Sequence, residues 1–328
     1  MIIVFNSNQD PMLQQVVDRF AGKTDVFTHN ERVAITGITI DDLTDDEQAA
    51  AVEIITDHPK AIQSSRLFHP ETITIQTPHT TISDHSFSLM AGPCSVESKE
   101  HVLKMAAAAK AAGATVLRGG AFKPRTSPYS FQGLGEDGLK FLRAAADQFE
   151  MDVVTEIMDE EHLAMIEQYT DIFQIGARNM QNFSLLKAVG KTNKPVMLKR
   201  GLSATIDDVL NAAEYIAAGG NHNIILTERG IRTFDNKYTR NTLDVGAVPV
   251  LHKLTPYPVI VDPSHAAGHV DFVTPEALAG TAAGADGLII EIHDDPAHAL
   301  SDGPQALSPA ELKTTFAKAQ QIHHLLGE

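Results

Sequence analysis

FSLMAGPCSVESKEHVLKMAAAAKAAGATVL, residues 87–117, is the segment whose reading decides the fold. It opens on an alternating apolar run, Phe87 to Met90, which predicts a strand. An alanine-rich amphipathic stretch, Val102 to Ala112, predicts a helix stopped by Gly113. Thr115 to Leu117 then predicts the next strand. The alternation continues along the chain. Runs at Asp152 to Thr155, Asp171 to Ile175, Pro195 to Leu198, Asn223 to Leu226, Val259 to Val261 and Gly287 to Ile290 bring the strands to eight. Helical stretches lie between them, among them Leu139 to Phe149, Asp207 to Ala218 and Pro275 to Ala283, with stops at Gly219 and Gly284. Eight strand–helix units predict a closed (β/α)8 TIM barrel of the α/β class. Function in that fold gathers at the carboxyl ends of the strands.

The first 68 residues read differently. Strand Ile2 to Phe5, helix Met12 to Phe20, strands Asp25 to Thr28 and Arg32 to Thr36, helix Asp45 to Thr56 and strand Ala61 to Leu67 follow in order. Thr44 with Glu47 makes a capping box at the start of the second helix. The order βαββαβ predicts a small α+β ferredoxin-like domain at 1–68, leaving 69–328 for the barrel. Between the two, Thr72 to Gln76 and Thr80 to Ser83 alternate polar and apolar residues around Thr77-Pro78-His79. They predict a hairpin that closes the bottom of the barrel.

A chain of 328 residues accommodates a barrel of about 250 residues and a small second domain. The formal charge of −16 sets it against nucleic acid and anionic membrane surfaces, both of which would repel it. One cysteine excludes a disulfide framework and fits a reducing compartment. Met1 to Asn6 carries only a short apolar run with no basic leader, neither a signal peptide nor a membrane span. A cytoplasmic location is expected.

Cys94 directly follows the first barrel strand, and a solitary thiol there is either a small buried hydrophobe or a ligand or nucleophile. His265 after Val259 to Asp262, Glu291 after Gly287 to Ile290, and Asp302 in Leu300 to Gly303 add an imidazole and two carboxylates, enough for one cation. Nine cations, Arg118, Lys123, Arg125, Arg178, Lys199, Arg200, Arg229, Arg232 and Arg240, also fall where apolar runs end. Some could be structural ion pairs, but repeated placement at strand ends points to a pocket for a small polyanion. The run Leu117 to Pro128, with three cations, two glycines and two hydroxyls, reads either as a phosphate cradle or as a charged surface loop.

The runs Ala91 to Ser98, Arg118 to Gly138, Gln174 to Asn182, Lys199-Arg200-Gly201, Glu228 to Pro249 and Val261 to His265 resemble 3-deoxy-D-arabino-heptulosonate 7-phosphate (DAHP) synthase. The likeness spans residues 87 to 308 and is to the subgroup with a β-type barrel and an amino-terminal ferredoxin-like regulatory domain. A sister synthase that uses arabinose 5-phosphate shares the Gly-Pro-Cys element. Its loop typically reads Lys-Ala-Asn-Arg-Ser, whereas this chain has Lys123-Pro124-Arg125-Thr126-Ser127.

The resemblance implies condensation of phosphoenolpyruvate with D-erythrose 4-phosphate, the first step of the shikimate pathway. It implies Cys94, His265, Glu291 and Asp302 as ligands of a divalent metal, Mn2+ first, with Fe2+, Co2+ or Zn2+ also suited. Arg118, Lys123, Arg178, Lys199 and Arg229 become a phosphoenolpyruvate clamp, with Lys123 also in proton transfer. Pro124, Arg125 and Thr126 become the grip on erythrose 4-phosphate. Glu156, ending the third strand, either positions water or a clamp residue or pairs a cation. Residues 1–68 are expected to bind tyrosine or phenylalanine as inhibitor, or else to make the contact of a homo-oligomeric dimer or tetramer. Competing readings are a metal-dependent sugar-phosphate aldolase and a non-catalytic anion-binding barrel. His293, His298, His323 and His324 read as solvent-facing or helix-end histidines rather than ligands.

Overall fold

The computed structural model of the chain describes residues 1–123 and 129–327. It contains two compact units, Met1–Glu71 with Lys253–Pro256, and Thr72–His252 with Tyr257–Glu328.

In the first unit β1 (Ile2–Val4), α1 (Pro11–Phe20), β2 (Val26–His29), β3 (Arg32–Ile35), α2 (Asp45–Ala50) and β4 (Glu53–Ile55) follow in that order. The strands form an antiparallel sheet of order β2-β3-β1-β4. Successive residues of a strand face opposite ways. Ile3, Val33 and Ile35 therefore pack with Leu13, Val16 and Phe20 of α1, while Ile2 and Ala34 pack with Ile62 and Phe68. Asp10 starts α1 by accepting the Met12 N–H at 2.9 Å, and Pro11 takes the first helical position.

Two expectations fail in this unit. The second helix stops at Ala50 instead of Thr56, and the last strand is Glu53–Ile55 instead of Ala61 to Leu67. The capping box of Thr44 and Glu47 does start α2. However, Ile55, Ile54 and Glu53 pair with Ile2, Ile3 and Val4 of the buried β1. That pairing outweighs continued helix for a stretch rich in β-branched residues. Ile62 and Phe68 are buried from turns, with Ser65 donating to Ile62 O at 3.0 Å and Phe68 donating to Ser65 O at 3.0 Å.

The second unit opens with the short strands β5 (Ile75–Gln76) and β6 (Thr81–Ile82). There follow β7 (Ser88–Gly92), α3 (Lys99–Ala111), β8 (Val116–Arg118), α4 (Glu136–Gln148), β9 (Asp152–Ile157), α5 (Leu163–Glu167), β10 (Ile172–Ile175) and α6 (Phe183–Val189). The second half comprises β11 (Val196–Lys199), α7 (Ile206–Ala217), β12 (Ile224–Glu228), α8 (Ala247–Leu254), β13 (Val259–Val261), α9 (Pro263–Ala267), α10 (Val270–Ala282), β14 (Gly287–Glu291) and α11 (Pro309–Leu326). Strands β7 to β14 close into a parallel barrel, β14 pairing with β7 from Gly287↔Ser88 to Glu291↔Gly92. The expected barrel is present, with strand ends moved by a residue or two.

Eight apolar residues, Met90, Val116, Val154, Ile172, Met197, Ile225, Ile260 and Ile289, fill the lower barrel, together with Ile75 and Ile82 of the β5–β6 hairpin. Thr77 Oγ1 donates to Asp152 Oδ2 at 2.6 Å, and the His79 N–H reaches the same carboxylate at 3.2 Å. Asp152 is the first residue of β9, so the hairpin plugs the amino-terminal end as expected. With the bottom sealed by hydrocarbon, polar side chains on this axis are left to the opposite mouth. No helix among the described residues is long and apolar enough to cross a membrane.

Candidate active site

At the carboxyl ends of the strands lies a cavity of about 520 Å³. Six of the nine cations, Lys123, Arg178, Lys199, Arg229, Arg232 and Arg240, line it, with Glu156, Gln174, His265 and Asp302 between them. Arg118 is buried beside them, donating Nη1 to Pro93 O at 2.6 Å. Arg200 departs from the polyanion-pocket reading. Its Nη1 donates to Glu228 Oε2 at 2.9 Å and to Asp244 Oδ2 at 2.8 Å, so its charge is consumed by the protein. Arg125, with Pro124 and Thr126, lies outside the described residues.

Below this wall the thiol and carboxylates meet. Cys94 Sγ donates to Asp302 Oδ2 at 3.4 Å, and Lys123 Nζ donates to Sγ at 3.1 Å. Ligand atoms of Cys94, Glu291 and Asp302 lie within 4.8 Å of one another. His265 Nε2 is 3.5 Å from Glu291 Oε1 and 4.0 Å from Asp302 Oδ2. Glu291 Oε2 is held by Gln305 Nε2 at 2.7 Å, but the buried Oε1 accepts no hydrogen bond. Arg118 Nη1 stands 3.0 Å from that oxygen without the alignment of one. A buried carboxylate oxygen that has ion-pair contacts but no aligned hydrogen bond, beside a thiol and a second carboxylate, fits a divalent cation.

Burial, and then the Glu291 carboxylate, pushes the Cys94 thiol up to about 11, against the pull of Lys123. Burial also opposes ionisation of Asp302, yet His265, Arg240 and Lys123 bring it down to about 2. Glu291 is likewise lowered, its burial outweighed by His265 and Arg118. A thiol ligates only as thiolate, so metal uptake through Cys94 would release its proton. Below the thiol pKa, apparent metal affinity should therefore rise about tenfold per pH unit for that one proton. Metal titrations of the metal-free protein across the neutral range check this, and a flat profile would exclude Cys94 as a ligand.

The ring of His265 is set by Asp262. Asp262 Oδ1 accepts the His265 backbone N–H at 3.1 Å, which starts α9, and Oδ2 lies 2.8 Å from Nδ1. Lys199 Nζ donates to the same Oδ2 at 2.5 Å. Burial alone would raise Asp262, but His265 and Lys199 hold its carboxyl well below the usual carboxylate range. The carboxylate accepts a hydrogen bond from Nδ1–H, which turns Nε2 toward Glu291 and Asp302, as a metal ligand requires. His293 has the opposite arrangement. The Asp295 N–H donates to its Nδ1 at 2.9 Å, so its own proton sits on Nε2, 3.5 Å from Glu97 Oε2. Asp262→Asn offers His265 Nδ1 an amide in place of an anion. Metal affinity is expected to fall about 10–100-fold, read by titration of the metal-free variant; unchanged affinity would contradict His265 as a ligand.

Asp262 and Gln305 carry no candidate role in the sequence reading. For Asp262 a signal existed, an aspartate ahead of Pro263 and three residues before His265, which is a helix cap that can also reach the ring. Gln305 had none, because its reach to Glu291 depends on how the chain turns after Asp302.

Residues 72–328 match the DAHP synthetase I family. Phospho-2-dehydro-3-deoxyheptonate aldolase of Thermotoga maritima is 52% identical over 263 residues, 80% of this chain and 78% of that protein. The 2-dehydro-3-deoxyphosphooctonate aldolase of Koribacter versatilis is 34% identical over 255 residues, 71% of this chain and 90% of that protein. The crystal structure of Thermotoga maritima DAHP synthase aligns with a TM-score of 0.81 at 42% identity, covering 99% of this chain and 98% of that one. A truncated form of 3-deoxy-D-arabino-heptulosonate 7-phosphate synthase from Thermotoga maritima aligns at 0.76 and 47% identity, covering 81% and 98%. The chain thus belongs to the DAHP synthetase I family and is an enzyme of that family's activity, 3-deoxy-7-phosphoheptulonate synthesis.

Proposed function

We propose that the barrel mouth condenses phosphoenolpyruvate with D-erythrose 4-phosphate and water, giving DAHP and phosphate. The observation that carries this reading is that one cavity joins six wall cations to a thiol, an imidazole and two carboxylates whose ligand atoms converge. Phosphoenolpyruvate brings a carboxylate and a phosphate, and the aldose brings a second phosphate and an aldehyde. Cys94, His265, Glu291 and Asp302 hold the metal, for which Mn2+ is the first choice and Fe2+, Co2+ or Zn2+ suit the same mixed donors. When bound, such a cation supplies Lewis-acid polarisation of the aldehyde oxygen.

The other steps fall to the chain's own residues. Arg118, Lys123, Arg178, Lys199 and Arg229 clamp phosphoenolpyruvate, and Pro124, Arg125 and Thr126 grip erythrose 4-phosphate. Arg229 is preorganised, its guanidinium donating to Gly230 O and His265 O at 3.2 Å each. The clamp holds the third carbon of phosphoenolpyruvate against the aldehyde carbon, and a carbon–carbon bond forms between them. Lys123, between the cavity and the thiol, moves a proton to the developing alkoxide. Water, positioned by Glu156, adds to the electron-poor second carbon; its bond to the phosphate oxygen then breaks as the keto group forms, one water proton leaving with the phosphate and the other restoring the Lys123 ammonium. The test is phosphate release by chelator-treated protein given both substrates. Turnover is expected only after Mn2+ is restored; turnover without metal would contradict the reading.

Residues 1–68 serve as a ferredoxin-like regulatory domain and 69–328 as the catalytic domain of a homo-oligomer, dimer or tetramer. The βαββαβ order and the β2-β3-β1-β4 antiparallel sheet support the first assignment. A cytoplasmic location suits a free thiol among metal ligands. Tyrosine or phenylalanine is expected to lower turnover. If neither changes rate or melting temperature, residues 1–68 have another role.

A further inference from the structure

Asp302 adopts a left-handed backbone, φ 46° and ψ 27°, which non-glycine residues rarely hold. Such a conformation is unfavourable for a residue with a side chain and persists only where the surroundings over-determine it. Three contacts hold the residues on either side of it. Glu97 Oε1 accepts the Leu300 N–H at 2.8 Å. The hydroxyls of Ser95 and Ser301 are hydrogen-bonded. Gly303 packs so closely that a Cβ on it would lie 2.1 Å from Pro296 O.

Two of these partners, Ser95 and Glu97, sit one and three residues beyond Cys94. The loop that carries the thiol therefore grips the loop that carries Asp302, across a thiol-to-carboxylate distance of 3.4 Å. Glu97 is itself aimed by His293, whose Nε2 proton points at Glu97 Oε2 because Nδ1 already accepts the Asp295 N–H. The same tautomer argues against a different use of this cluster. Glu97, His101 and His293 have ligand atoms within 4.8 Å of one another, but a metal on His293 Nε2 would have to displace that proton.

We infer that Glu97 is a positioning residue that holds Asp302 in its left-handed conformation and so sets the affinity of the Cys94–His265–Glu291–Asp302 metal site. The inference rests on the proposed ligand set. It gives His293 a role outside that set, as the group that orients Glu97.

The experiment is titration of full-length, metal-free protein with Co2+, following the thiolate-to-cobalt charge-transfer absorbance. Wild type is expected to bind one equivalent. Glu97→Ala should bind about 10–100-fold more weakly yet reach the same absorbance at saturation. In an Asp302→Ala background the same substitution should add little, because the group it positions is gone. Equal affinity of Glu97→Ala and wild type would overturn the inference, as would an equal loss in both backgrounds. So would a second cobalt equivalent that vanishes in Glu97→Ala. Should Glu97→Ala not fold, Glu97→Gln keeps an oxygen for Leu300 but sets an amide against the His293 N–H. The same cycle applies to it, with a smaller fall. If wild type shows no thiolate-to-cobalt band on binding, or if Asp302→Ala binds cobalt like wild type, the ligand set itself is wrong, which separates that failure from failure of the positioning role.

Discussion

Cys94→Ala, assayed with Mn2+ and both substrates, is expected to turn over at least about a thousandfold more slowly than wild type. Lewis-acid stabilisation is worth several kcal/mol in the transition state, and each 1.36 kcal/mol is about a factor of ten. The substitution leaves Glu291 and Asp302 facing one another with a cavity where sulfur was, and removes the acceptor for the Lys123 ammonium. The fold should survive, because Cys94 lies in a loop beyond β7 and the lower barrel is packed by other residues. Metal content by elemental analysis and circular dichroism should separate loss of the ligand from loss of the fold. Cys94→Ser, which keeps a ligating oxygen, should lose less and shift its preference toward harder cations. Normal metal content and rate in Cys94→Ala would remove the thiol from the site.

Lys123→Met should reduce kcat/KM by about 10²–10³, the cost of losing one preorganised, buried charge. Lys123 is 9% exposed, and its side chain passes over Gly120, where a Cβ would lie 2.9 Å from Nζ, to place Nζ 3.1 Å from the thiol. Methionine fills the space but offers no charge to a phosphate or carboxylate and no proton to an alkoxide. The deficit should therefore appear in kcat as well as KM, whereas a lysine that only attracted substrate would change KM alone. Steady-state kinetics in both substrates reads the difference. An unchanged rate would place Lys123 outside the chemistry.

The barrel was legible because its strands are buried on both faces and read as unbroken apolar runs between helix stops. The second half of the amino-terminal sheet was not. Asp45 to Ala51 continues naturally as helix, and only the distant pairing of Glu53–Ile55 with β1 ends it. At the site the residue types stood plainly at strand ends. Their division of labour did not, because it depends on contacts far apart in the chain. Lys199 meets Asp262 across 63 positions and Arg200 meets Glu228 across 28, so one cation joins the carboxylate that orients His265 and the other is spent on a buried pair. Glu97 read as one residue of a motif; its grip on Leu300 spans 203 positions.

Phosphoenolpyruvate consumption in parallel reactions with D-erythrose 4-phosphate and with arabinose 5-phosphate, each with and without chelator, tests the proposed reaction most directly. Chelator-sensitive consumption with the four-carbon sugar, matched by equimolar phosphate, is the predicted result. Consumption with the five-carbon sugar alone would contradict it and assign the cavity to the sister condensation.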